Sequence, residues 1–161
     1  MLVYAFEPKP KETLVVAVKG DATVQEVTFS DTFVLSNQDR AIALSAFSKR
    51  VEQFVQTGQP DLVVVKPLEN RAVTGTGKRN IKPSWFDTAE VRGVILAASA
   101  GAAVKVELRT AADVTRTTGD RKAKEYVTDD DFWDREIAGA PPKKYRKAAL
   151  MAISALRSHR E

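Results

Sequence analysis

The stretch "DLVVVKPLENR", residues 61–71, decides how the chain is read. Residues 62–65 are apolar and mostly β-branched, the pattern of a short strand buried on both faces. Lys66 follows at once, where a strand residue is still half buried. An ammonium in that place is costly unless an anion accompanies it, so the end of this strand points towards function.

Upstream, residues 13–20, "TLVVAVKG", read as a buried strand closed by the turn signal Gly20-Asp21. Residues 22–29 alternate at Val24, Val27 and Phe29 as a second strand of a hairpin, and 31–36 supply a third. Ser36 with Asp39 has the spacing of a capping box. It predicts a helix to about Thr57, with Ile42, Phe47, Val51, Phe54 and Val55 on one face and Gly58 and Pro60 as its stop. Residues 1–12, with Pro8 and Pro10, are expected to be an N-terminal arm, and 13–161 a single domain.

Downstream, Ser84 caps a helix that turns apolar towards its end, and Val104, Val106 and Leu108 alternate as a strand. A second capping box joins Thr110 to Asp113, short helices follow Gly119, and a last helix starts near Pro141-Pro142 with Ala149, Leu150, Ile153 and Leu156 inward. Strands first, then alternating helix and strand, describe a mixed α/β domain of about five strands, the first three antiparallel, flanked by helices.

Composition narrows the chemistry. The chain has 161 residues, 43% hydrophobic and 29% charged, with a net charge of +4. That balance fits a globular protein with one sizeable core, and mild basicity permits an anionic partner without requiring one. No apolar run approaches the roughly 20 residues of a membrane helix. There is no cysteine, so thiolate metal sites and cysteine nucleophiles are excluded, and a reducing, cytoplasmic setting is expected. His159 is the only histidine, which excludes histidine metal clusters, and its place next to the C-terminus argues against Ser-His-Asp chemistry.

The order of elements resembles the RNase H-like fold, and several stretches resemble its RuvC branch of Holliday-junction resolvases. "QPDLVVVKPLENR" is similar to that family's central strand. "AEVRGVILAASAGAAVKVELRTAADVTRTTGDRKAKEYV" is similar to its helix, next strand and glycine-lysine segment, and "PPKKYRKAALMAISAL" to its final helix. The resemblance implies a nuclease with four carboxylates around two divalent metals, acting on DNA as a possible dimer. Laid on this chain, the acids fall at Lys19, Lys66, Lys144 and Lys147, with Lys143 as a competing choice for the helix pair. An ammonium only donates and cannot ligate Mg²⁺. The resemblance therefore implies a RuvC-like domain without metal, cofactor or nuclease chemistry, as in a small bacterial family of RuvC-like domains with lysine at the strand ends.

Two readings of the lysines stay open. They line an anion site, joined by Arg71, Lys78, Arg79 and Lys82 of the glycine-containing loop, and take up nucleic acid or another polyanion. Alternatively, acids such as Glu69, Asp21 or Asp129-Asp130-Asp131 neutralise them in a structural ion-pair network suited to a protein-interaction module. A residual metal-dependent nuclease using displaced acids such as Asp21, Glu69 and Asp131 is the third possibility. "TGTGKR", residues 74–79, lacks the glycine spacing and the Ser/Thr of a phosphate loop. Trp85 and Phe86 are expected in the core more often than as a base-stacking platform.

Overall fold

The computed structural model describes residues 1–68, 83–119 and 121–159. Its elements are β1 (Leu2–Pro8), β2 (Glu12–Gly20), β3 (Gln25–Val34), α1 (Arg40–Gly58), β4 (Leu62–Val65), α2 (Pro83–Gly101) and β5 (Val106–Leu108). They continue with α3 (Ala111–Thr118), α4 (Ala123–Thr128), α5 (Asp130–Glu136), β6 (Ile137–Ala138), a 3-10 turn (Lys143–Tyr145) and α6 (Arg146–Ser158). The strands form one mixed sheet in the order β5-β4-β1-β2-β3-β6. β1, β2 and β3 are an antiparallel meander, whereas β4 pairs parallel to β1 and β5 parallel to β4.

Residues 1–12 are not an arm. "LVYAF" is apolar without alternation because β1 lies inside the sheet with both faces covered. Its prolines belong to the turn into β2, which the Lys9 N–H closes on the Glu12 carbonyl at 2.9 Å and a 3.0 Å Lys9–Glu12 ion pair reinforces. The strand expected to open the sheet is thus its second. The segments read as second and third strands are one strand, β3, and the short β6 brings the total to six.

Successive side chains of β1 point to opposite faces. Val3 and Ala5 meet α6, with Leu14, Val16, Val18, Leu62 and Val64, while Tyr4 and Phe6 meet α1 and α2. α6 is buried on nearly every side, and Ala149, Leu150, Ile153 and Leu156 all face inward as expected.

Elsewhere the sequence pattern needs adjustment. Asp39 rather than Ser36 caps α1, accepting from the N–H groups of Ala41 and Ile42. One residue of phase follows: Ala43, not Ile42, lies on the buried face, and Ile42 is 56% exposed. Gly58 is needed because a Cβ there would fall 1.6 Å from the Tyr4 hydroxyl. Asp129 caps α5, accepting from the Phe132 N–H. Trp85 and Phe86 are 36% and 56% exposed, so the expected burial of this pair does not hold. They sit in the first turn of α2, ahead of the turns whose Val91 and Ile95 reach the core. Among the described residues, no helix is long and apolar enough to cross a membrane.

Candidate anion site

Strand alternation builds the site. Glu7 follows Val3 and Ala5 on the α6-facing side of β1, and Lys66 follows Leu62 and Val64 on the same side of β4. The Lys66 N–H donates to the Phe6 carbonyl at 3.0 Å, carrying the ladder one residue further and setting Lys66 beside Glu7. Lys147, second residue of α6, comes down from the helix layer. The Glu7 carboxylate stands 3.5 Å from the Lys66 ammonium and 3.6 Å from that of Lys147. The acid is buried, with 11% of its side chain exposed, against 21% for Lys66 and 42% for Lys147. Both separations are longer than the roughly 2.7–2.9 Å of a charge-assisted hydrogen bond. They are ion pairs rather than close hydrogen bonds.

The same sheet end extends sideways. The Arg109 N–H donates to the Val65 carbonyl at 3.2 Å, placing Arg109 next in line after Lys66. Its guanidinium is held by Glu107 at 2.8 Å and by the Ser158 hydroxyl at 2.7 Å. Glu107 also meets Lys105 at 2.9 Å and the His159 ring at 3.1 Å. Burial alone would raise the Glu107 carboxyl, but hydrogen bonds from Lys105 and Arg109 outweigh it and hold its pKa down to about 2. On the other side, Leu14 pairs with Glu7 and Thr32 with Leu14, so Thr32 lies two strands from Glu7 in the same row. The Thr32 hydroxyl is 3.0 Å from that of Tyr145, and the Lys144 ammonium donates to it at 3.4 Å.

The expected site residues separate into three groups. Lys66 and Lys147 converge on one carboxylate, and Lys144 stands beside them over Thr32. Lys19 does not join: it pairs with Leu2, at the opposite end of β1 from Glu7. That misplacement follows from taking β2 for the first strand. With β1 as the first strand, the acid near that strand's carboxyl end is Glu7. Arg71, Lys78, Arg79 and Lys82, with Glu69, lie outside the described residues.

Lys143, the competing choice, turns away to Asp130 at 3.1 Å, where Arg146 also binds at 2.6 Å. Arg146 and Lys143 hold the Asp130 carboxyl below the ordinary aspartate range. Asp129 pairs with Arg121, and Asp131 is solvent-facing, 3.9 Å from Arg135. Asp21 accepts from the Val24 and Thr23 N–H groups and the Thr23 hydroxyl in the β2–β3 turn, at the far end of the sheet. Those bonds, the Val24 N–H first, hold its pKa at about 2. Among the described residues, no three His, Cys, Asp or Glu side chains come together in a way that could hold a metal ion. A shallow cavity of about 410 Å³, lined by Val55, Gln56, Gln59, Pro60, Ala102 and Val104, opens near the start of β4, away from these lysines.

Sequence reasoning missed Glu7, Thr32, Tyr145 and Arg109. Only Glu7 left a signal: it is the single acid in "LVYAFEP", in phase with Val3 and Ala5.

No family model matches the chain, and no curated protein sequence matches it. Solved structures do. Thermus thermophilus RuvC in complex with a Holliday-junction substrate has a TM-score of 0.71 and 15% identity, covering 98% of this chain and 94% of that one. A second structure of Thermus thermophilus RuvC gives 0.73 and 17%, over 98% and 95%. The yeast mitochondrial Holliday-junction resolvase Ydc2 gives 0.64 and 9%, over 96% and 77%. With the sheet order and the two helical layers, these likenesses identify the fold of the chain as RuvC-like, of the RNase H-like type.

Proposed function

We propose that this protein is a RuvC-like domain without nuclease activity that binds nucleic acid, or another polyanion, by its phosphates. One observation carries the reading: at the carboxyl ends of β1 and β4, the ammonium groups of Lys66 and Lys147 are gathered around one buried carboxylate, Glu7, with 21% and 42% of their side chains exposed. Cations held at a sheet end offer donors to a phosphate, whereas one carboxylate between lysines is a poor seat for two metal ions. The bound Holliday junction of the similar RuvC structure is consistent with a nucleic-acid partner. The loop cations Arg71, Lys78, Arg79 and Lys82 would add phosphate contacts, so binding is blind to base sequence.

The rival reading is a protein-interaction module in which these lysines serve only the internal ion pair, and the Lys66–Glu7 pairing favours it. Displaced nuclease acids have less support, since Asp21 caps a turn at the far end and Asp131 faces water. The deciding experiment incubates the protein with linear and branched DNA and RNA–DNA hybrids, with Mg²⁺ or Mn²⁺ and with chelator. Binding that persists in chelator without cleavage is expected. Steady cleavage abolished by chelator and by Glu7→Gln overturns the proposal, and no binding even at low salt favours the interaction module.

A further inference from the structure

Of the cations around the start of α6, Lys144 is held differently from its neighbours. Lys143 and Arg146 share Asp130, and Lys147 meets Glu7. Among the described residues, no carboxylate forms an ion pair with Lys144. Its nearest partners are neutral, the Thr32 hydroxyl at 3.4 Å and the centre of the Tyr145 ring at 4.6 Å, while the Glu12 and Asp31 carboxylates act on it from beyond ion-pair distance. The Tyr145 ring is buried against α6, and its hydroxyl is 3.0 Å from that of Thr32. Two hydroxyls and one ammonium therefore converge, two strands along the row from Glu7.

We infer that Lys144, Thr32 and Tyr145 form a second phosphate subsite, distinct from the Glu7 cluster and taking a different phosphate of the same nucleic-acid strand. The inference rests on the nucleic-acid reading above. An ammonium has three donors, and Thr32 uses only one of them. Both hydroxyls rotate their protons, so each turns from accepting to donating when a phosphate oxygen arrives. The interaction with Tyr145 raises the Lys144 pKa, which keeps the charge in place, while Lys144 and then Thr32 lower that of the phenol and strengthen it as a donor.

The test measures duplex DNA binding against salt for wild type, Lys144→Gln, Lys143→Gln, Tyr145→Phe and Thr32→Val, each checked for folding by thermal melting. Removing a cation that neutralises one phosphate should lower the slope of log K on log salt by about 0.9. Lys144→Gln is expected to do so and Lys143→Gln is not. Tyr145→Phe and Thr32→Val, which remove neutral donors, should weaken binding roughly two- to fivefold at unchanged slope. A Lys144→Gln slope equal to wild type overturns the subsite and leaves the wider reading standing. If wild type binds no nucleic acid, the wider reading falls, and titration with inorganic phosphate decides the subsite. Saturable shifts of the Lys144 ammonium and Tyr145 ring signals, with the ring shift absent in Lys144→Gln, then uphold it, and their absence in wild type overturns it.

Discussion

Two clusters at the start of α6 each join one carboxylate to two cations, and they are built in opposite ways. At Asp130 the acid is 55% open to water and Lys143 69%, while Arg146 is buried at 8% over the Trp133 ring. Its ion pairs are short, 2.6 and 3.1 Å, and the Val127 carbonyl takes a further guanidinium donor. At Glu7 the acid is buried, the lysines are 21% and 42% exposed, and the separations lengthen to 3.5 and 3.6 Å. The first is a clasp that ties α5 to α6. The second gathers two ammonium groups around a buried acid, the arrangement proposed above to meet an outside anion. Among the described residues the charge count is the same, and the packing differs.

The largest expected effect breaks the second cluster from the cation side. Lys66→Met keeps the stem but takes a partner from buried Glu7, and should cost about 1–3 kcal/mol of stability in a thermal or urea melt. A stabilised variant would mean that Lys66 is chiefly repelled by its fellow cations in the empty site. Removing the acid instead sharpens the comparison. Glu7→Gln deletes a negative charge beside the lysines, so duplex DNA should bind about three- to tenfold tighter at low salt after screening is allowed for. Weaker binding would show Glu7 to be part of the ligand's seat.

Glu107 supplies a third arrangement, an acid with tight cationic partners at the sheet edge. Its folded pKa lies below the unfolded value, so its stabilisation is present at neutral pH and above the ordinary glutamate range. It is lost as pH falls from about 4.3 towards about 2. After a discount for partial exposure, the loss should be on the order of 1 kcal/mol, and Glu107→Gln should flatten this part of the stability–pH curve. An unchanged acid limb in the variant would remove Glu107 as its cause. Smallest of all, Lys147→Met should cost no more than about 1 kcal/mol, because that lysine is 42% exposed. A larger loss in melting experiments would make Lys147 a structural residue.

How much of the molecule was legible in the sequence depends on which rule governed each segment. The α6 core face was legible because Ala149, Leu150, Ile153 and Leu156 keep helical spacing, and α3 because Thr110 and Asp113 cap it reciprocally. β1 was not, since a strand covered on both faces has no alternation, and Pro8 at its end with Pro10 in the following turn imitate a tail. Taking β2 for the first strand drew attention to Lys19, at the other end of the sheet from Glu7. Lys66 was legible because its cost stands out after "LVVV". Thr32 and Tyr145 were invisible, because only the cross-strand register and the 3-10 turn bring them together.

The most direct test is the salt dependence of duplex DNA binding by wild type and by the double variant Lys66→Gln, Lys147→Gln. If these ammonium groups meet phosphates, wild-type affinity falls steeply with salt and the variant's slope is shallower by roughly 2, about 0.9 for each phosphate no longer neutralised. Equal slopes in the two proteins, with both folded, would contradict the account.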